Sequence, residues 1–195
     1  MPMRAACIAS LGVMALTMVG CGGSLPRGLA QARLPGYRLS FSYPASWRRF
    51  DCATKGPVGY GAVIIYLTTL KRAPACGGLP IPPGIAIAPL GVNGVFVSWS
   101  EYTNPALSVA RFEGHDTTLG GRPARVAVIT TDASPIAWRH LGCGRLGAGQ
   151  ALSAAISAGS PHSVFVVVGC LAGPNLHAGR AAVQAMLASV RFGKG

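Results

Sequence analysis

Cysteine is the residue type whose placement in this chain could do the most distinctive chemistry. The chain has six cysteines, which are Cys7, Cys21, Cys52, Cys76, Cys143 and Cys170. Thiols can hold a metal, act as nucleophiles, carry a modification or pair as disulfides. The four histidines are equally dispersed, at His115, His140, His162 and His177. No Cys-x-x-Cys occurs and the histidines do not cluster at ligand spacing, so we expect no bound metal.

The N-terminal segment, residues 1–20, has the layout of a secretory signal peptide. A positive charge at Arg4 precedes an uncharged, largely apolar run over residues 5–20, which ends in small residues. No charged stop-transfer flank follows, so a cleaved segment is a better interpretation than a permanent transmembrane anchor. The rest of the chain would then reside in an oxidising compartment outside the cytoplasm.

The end of this segment resembles a known processing signal. Met18-Val19-Gly20-Cys21 is similar to the lipobox of bacterial lipoproteins, in which Leu, a small residue and Gly or Ala precede an invariant cysteine. Met18 stands where the family usually has leucine. The resemblance implies cleavage after Gly20, diacylglycerol transfer to the Cys21 thiol and attachment to the extracytoplasmic face of the cell membrane. The alternative is an ordinary signal peptide cut nearby, which would release a secreted protein.

The remaining cysteines predict disulfides. With Cys7 removed and Cys21 lipidated, an even number is left, which in an exported protein favours disulfide pairing. Cysteines at positions 52, 76, 143 and 170 allow several connectivities, and sequence alone does not choose among them. We favour Cys52–Cys76 and Cys143–Cys170, because each pair brackets one local segment of the chain.

The composition indicates a folded and strongly basic protein. The chain has 195 residues, of which 50% are hydrophobic and 11% charged, and its formal net charge is +12. The charge favours anionic partners such as lipid headgroups or wall polymers. An alternative source of the charge is codon bias, since arginine amid abundant Ala, Gly and Pro is typical of a GC-rich genome such as an actinobacterial one. We predict no nucleic-acid partner, because the basic residues are scattered and no recognised motif occurs.

Hydrophobic periodicity divides the mature chain into a tether and one domain. Residues 21–35 start with Gly-Gly-Ser after the cysteine and lack periodicity, so they are predicted to be a flexible tether. Residues 36–195 are predicted to be a single globular domain.

The patterns within this domain predict an α+β fold. Period-two alternation or β-branched runs predict strands near residues 37–43, 60–68, 94–102, 124–131, 150–158 and 163–170, with an edge strand or loop at 112–119. After the N-cap candidate Asn175, the pattern changes to that of an amphipathic helix. We therefore predict a mainly antiparallel β-sheet with a C-terminal amphipathic helix packed on it.

Short motifs of the domain resemble the PsbP-like family. Phe41-Ser-Tyr-Pro44-Ala-Ser-Trp47 is similar to the family's opening signature, in which an aromatic strand runs into Tyr-Pro-x-x-Trp. The Leu-Gly-Gly-Arg-Pro-Ala turn at 119–124 and the closing segment 185–192 fit the same family. The resemblance covers residues 36–193 and implies an α/β/α sandwich around a central antiparallel sheet. The family motif contains no catalytic residues, so its aromatic residues are interpreted as packing residues.

We predict neither catalysis nor a cofactor. Residues 142–147 match Gly-x-Gly-x-x-Gly literally, but no acid follows Asp132, so we interpret them as a glycine-rich loop beside a disulfide. His115 and Asp116 are adjacent, so on a strand they would point to opposite faces. Glu113 and Asp116 are the sole close pair of carboxylates.

These features predict a membrane-anchored extracytoplasmic lipoprotein that acts as a non-catalytic binding or scaffold domain in the cell envelope. The expected partners are the membrane through the lipid anchor, an anionic lipid or envelope polymer, and an unidentified protein. Trp47 with Arg48-Arg49 would form part of a lipid-contacting face, unless Trp47 lies in the core and the arginines are merely solvated. Two other functions remain open: an envelope hydrolase or transferase with a site assembled from distant residues, and a lipid or lipoglycan carrier.

Overall fold

The computed structural model describes residues 28–52, 61–72, 76, 88–133, 140–160 and 162–193. Cys21 and the predicted signal peptide lie outside these residues. The described part of the chain folds into two antiparallel sheets and a C-terminal helix.

The smaller sheet joins both ends of the domain. Its strands, β1 (Leu29–Leu34), β2 (Leu39–Pro44) and β10 (Arg191–Phe192), pair in the order β1–β2–β10. A short 3-10 turn, Pro35–Tyr37, closes the hairpin between the first two strands. β2 is therefore a central strand with a neighbour from each end of the domain.

The larger sheet has seven strands. They are β3 (Arg48–Asp51), β4 (Ala62–Thr68), β5 (Val95–Thr103), β6 (His115–Leu119), β7 (Arg122–Ile129), β8 (Gln150–Ser157) and β9 (Ser163–Leu171). Their order in the sheet is β3–β4–β5–β9–β8–β7–β6, and each neighbouring pair is antiparallel. Helix α1 (Leu176–Ala188) follows β9. The predicted α+β fold with a mainly antiparallel sheet is confirmed.

The predicted tether is wrong over its second half. Residues 29–34 form β1, which pairs with β2 from Leu29↔Pro44 to Leu34↔Leu39. The alternation was weak, because two of the three inward positions are Ala30 and Ala32, and alanine is a poor strand former. Burial of Ala32 and Leu34 against the larger sheet outweighs that low propensity. Strand β1 therefore belongs to the domain.

One face of the larger sheet is covered by the smaller sheet and the helix. The Phe41 ring from β2 stacks on the Trp99 ring from β5, with ring centroids 4.5 Å apart and an interplanar angle of 8°. The helix contributes Val183, Met186 and Leu187 to the same core. Asn175 caps the helix as predicted, since its side chain accepts a hydrogen bond from the Ala178 N–H at 3.3 Å.

The other face of the larger sheet has a second core. Leu90, Cys143 and Leu146 pack there against β-strand residues such as Phe96 and Val168. The described residues that cover this face lie in turns, in the α-helical residues His140 and Leu141, and in two short 3-10 segments, Val109–Arg111 and Cys143–Leu146. The α/β/α sandwich that the family resemblance implies stays a prediction.

Gly114 occupies a backbone conformation that only glycine adopts easily. Its φ is +117°, and an added Cβ would lie 2.2 Å from the Val126 carbonyl oxygen. We expect Gly114→Ala to lower the free energy of unfolding by about 2–3 kcal/mol, because the strand β7 backbone would have to move. Chemical denaturation would measure the loss. Gly36→Ala is the matched control: an added Cβ there meets nothing within 4 Å, so stability should not fall. Equal losses in the two variants would contradict this prediction.

Candidate binding surfaces

The disulfide pairing is as predicted. Cys52 bonds to Cys76 and Cys143 to Cys170, with Cα–Cα distances of 5.4 and 5.3 Å. Cys143 and Cys170 are fully buried in the second core. Two disulfides are typical of proteins that fold in an oxidising, extracytoplasmic compartment. Within the described ranges, none of the helices has the length and hydropathy needed to cross a membrane.

The structure keeps the candidate catalytic residues apart. All four histidines are exposed, and they lie on different segments of the fold. Asp116 forms an ion pair at 3.0 Å with Arg125 on the neighbouring strand rather than with His115. Among the residues that are described, no three His, Cys, Asp or Glu side chains come together as a metal site.

The glycine-rich segment 142–147 forms a tight turn around a short 3-10 segment. Gly142 and Gly147 have φ values of 70° and 66°, and they flank the 3-10 segment Cys143–Leu146. The left-handed conformation of both residues explains the glycines at these positions. The segment is a loop beside the Cys143–Cys170 disulfide, as predicted.

Of the two interpretations of Trp47, the structure supports the one that places this residue in the core. Trp47 is 7% exposed and belongs to the core between the two sheets. The Arg49 guanidinium is neutralised by Asp51, two positions along the same strand, at 2.7 Å. The apolar environment between the sheets accommodates the indole better than a membrane surface would, so the alternative interpretation, Trp47 as a packing residue, is confirmed.

The outer side of the smaller sheet is basic. We call it the small-sheet face; it consists of the outward residues of the three strands: Leu29, Gln31, Arg33, Ser40, Ser42, Pro44 and Arg191. Ser40 pairs with Arg33 on one side and with Arg191 on the other. Both arginines are exposed, and no Asp or Glu occurs on these strands.

The arginines of the small-sheet face are held in position by neutral acceptors. Arg33 Nε donates to Gln31 Oε1 at 3.0 Å. Arg191 Nη1 donates to the Val190 carbonyl at 2.7 Å and to the Ala188 carbonyl, at the C-terminus of α1, at 3.1 Å. A cation at a helix C-terminus is stabilised by the helix dipole. Since a guanidinium has five N–H donors, both side chains retain donors for an anion in solution.

A second candidate lies at one end of the larger sheet. We call it the sheet-end cluster; it consists of Tyr37, Glu101, Ser163 and Phe165. Ser163 Oγ donates to Glu101 Oε1 at 2.7 Å, and the Tyr37 ring packs edge-on against Phe165 with centroids 5.8 Å apart. Loss of hydration raises the pKa of Tyr37, and the negative charge of Glu101 raises this pKa further. The Tyr37 phenol is protonated at neutral pH, as tyrosines ordinarily are, and can donate a hydrogen bond.

An aromatic row connects the sheet-end cluster to Arg122. Phe165 stacks against Phe192 at 6.0 Å, and the Arg122 guanidinium lies 3.8 Å from the centre of the Phe192 ring. Burial lowers the pKa of Arg122, and Arg122 Nη1 donates to the Ser157 carbonyl at 3.4 Å. Arg122 therefore packs on the partly buried Phe192 ring at the margin of the core, whereas Phe165 lies inside the core at 2% exposed.

Neither surface follows from the local sequence pattern. The sheet-end cluster depends on pairing between β5 and β9, which brings together residues 62 positions apart. One signal was available: the alternation of β5 places Glu101 on the core-facing side with Val97 and Trp99, an unusual position for a carboxylate. Comparisons with models of protein families, with curated proteins and with solved structures found no match to this chain.

Proposed function

We propose that this chain is a lipid-anchored, extracytoplasmic domain of the cell envelope that acts by binding rather than by catalysis. One observation carries the proposal. A domain that contains two disulfides has a strand, the first among the described residues, that begins eight positions after the lipobox-like cysteine Cys21. Lipid at Cys21 would therefore place an oxidised, folded body directly at the outer surface of the membrane.

The distance between anchor and domain has an upper limit. Residues 22–28 separate Cys21 from β1, and a fully extended chain spans at most about 3.5 Å per residue, which gives a limit of roughly 25 Å. This limit is about half of what a tether ending at residue 35 would allow. The domain would therefore work close to the bilayer.

The geometry of the polar groups favours binding over hydrolysis. Ser163 is only 7% exposed, so its hydroxyl, which donates to Glu101, is not open to a substrate as a nucleophile would have to be. A lipid carrier would need an interior cavity between the sheets. The stacked rings of Phe41 and Trp99 occupy that space. We therefore retain the binding or scaffold role and do not propose the enzyme or the carrier.

We also propose kinship with the PsbP-like family. Its support is that the aromatic strand of the motif is β2, that the tryptophan which follows it is buried, and that α1 and β10 close the domain. The proposal concerns ancestry and packing, and it assigns no activity.

The anchoring proposal can be tested in a bacterial host that expresses the full chain. We expect radiolabelled palmitate to enter the wild-type protein and the protein to fractionate with membranes. Cys21→Ala should abolish both, because the acceptor thiol is lost. Cys7→Ala is the matched control, since Cys7 would leave with the signal peptide, and this variant should behave as wild type. An unlabelled wild-type protein, or an intact mass that still includes residues 1–20, would refute the anchor.

A further inference from the structure

We propose that the small-sheet face docks onto anionic phospholipid headgroups of the membrane that holds the lipid anchor. The inference rests on the proposed anchoring, and it adds how the domain is oriented relative to the bilayer. The anchor alone would leave the domain free to tumble within the reach of its linker. A docked small-sheet face would fix which side of the domain faces the bilayer and which side faces outward.

The charge of the face fits a phosphate-bearing surface. Arg33 and Arg191 flank Ser40 on neighbouring strands, so their backbones lie roughly 10 Å apart. Guanidinium groups bind phosphate through two parallel hydrogen bonds, and a serine hydroxyl between them can add a third donor. The three strands carry no carboxylate that would repel an anionic surface.

These two arginines differ from two that lie on strands of the larger sheet, Arg49 and Arg125. Arg49 and Arg125 are each neutralised by an aspartate, Asp51 and Asp116, at 2.7 and 3.0 Å. Arg33 and Arg191, by contrast, contact neutral oxygens in the described part of the chain. Their charge is therefore available to an external anion.

The position of the face relative to Cys21 supports the same occupant. Leu29 is 39% exposed although it is a large apolar residue, and it lies at the end of β1 that is nearest to Cys21. Leu29 and Arg33 point to the same side of the strand. Protein surfaces that bind at the membrane interface combine basic residues, which contact the headgroups, with apolar residues, which reach the acyl chains. The few residues between Cys21 and β1 set an upper limit on the distance between this face and the bilayer.

The proposal can be tested on the full, lipidated protein reconstituted into two kinds of vesicle. One is pure phosphatidylcholine, and the other contains about one third phosphatidylglycerol. Exposed arginines are then modified with phenylglyoxal, and the rate at each position is read by mass spectrometry. We expect modification of Arg33 and Arg191 to be roughly fivefold slower on the anionic vesicles, which is the protection one basic contact with an anionic surface provides. Arg111, exposed in the segment that covers the opposite face of the larger sheet, should be modified equally on both.

A variant tests whether the two arginines act together. Arg191→Gln should reduce the protection of Arg33 on anionic vesicles, because the surface loses half of its paired charge. Arg111→Gln is the matched control and should leave the protection of Arg33 unchanged. Added salt should weaken the protection in the wild-type protein, since an exposed contact with headgroups is screened.

Three outcomes would overturn the inference. Anchored protein with equal modification on both vesicles would show that the small-sheet face does not dock. Protection of the same size by inorganic phosphate on neutral vesicles would show a site for free anions instead of a membrane-docking surface. Protein that is isolated from the bacterial host without lipid on Cys21 would overturn the anchor and, with it, this inference. The first two outcomes leave the proposed anchoring intact.

Discussion

Replacing Phe41 with alanine is expected to lower the free energy of unfolding by about 3–5 kcal/mol. Phe41 is 1% exposed and stacks on Trp99, which is fully buried. The two rings belong to different sheets, so their contact joins β2 to β5. Alanine would leave a cavity at this junction, and the lost stacking would add to the cost of the cavity. The smaller sheet, which includes the small-sheet face, should become the least protected part of the fold.

Denaturant unfolding would measure this loss, and Ser40→Ala is the matched control. Ser40 lies on the same strand but points to the outer side, so its replacement should change stability by less than about 0.5 kcal/mol. Amide hydrogen exchange should become faster in β1 and β2 of the Phe41→Ala protein. A stability equal to that of the Ser40→Ala protein would mean that the two sheets are held together elsewhere.

Removing the Cys143–Cys170 disulfide is the second change with a large expected effect. The two cysteines are 27 residues apart, for which loop entropy predicts a loss of roughly 3.5 kcal/mol. Both residues are fully buried, so the double variant Cys143→Ala/Cys170→Ala also loses packing around Leu146. Thermal and chemical unfolding of the double variant would measure the combined effect.

The other disulfide provides the comparison. Cys52–Cys76 spans a similar separation of 24 residues, but Cys76 is partly exposed. A mild thiol reductant should therefore open Cys52–Cys76 in the folded protein, whereas Cys143–Cys170 should resist until the protein unfolds. Alkylation followed by mass spectrometry would show the order. Simultaneous reduction of both disulfides under native conditions would contradict this assignment of buried and accessible bonds.

The sequence predicts most of this fold because its strands are strongly patterned. In β2, Leu39, Phe41 and Tyr43 alternate with serines, and these three side chains are the buried ones. The helix was predictable from its period and from Asn175, and the disulfides from the local segments that they bracket. β1 was missed because alanines occupy its inward positions. β1 is a strand because it pairs with β2, and this pairing cannot be recognised from the sequence of residues 29–34 alone.

The candidate surfaces were harder to predict, because each depends on register between distant strands. The small-sheet face requires Arg33 and Arg191, from opposite ends of the domain, to pair with the same serine of β2. The sheet-end cluster requires Glu101 and Ser163 to meet through β5 and β9. Alternation shows which side of a strand a residue faces, but it does not show which strand lies beside it.

The short edge strands of the larger sheet affect how closely copies of this protein can pack together without joining their sheets. Both edge strands are short: β3 has four residues, among them two arginines and an aspartate, and β6 has five, with a histidine and an aspartate. Short, charged edges are poor templates for strand addition by a neighbouring chain. Molecules confined to a two-dimensional layer meet far more often than molecules in bulk solution. Edges of this kind would let many copies share a small area without polymerising through their sheets.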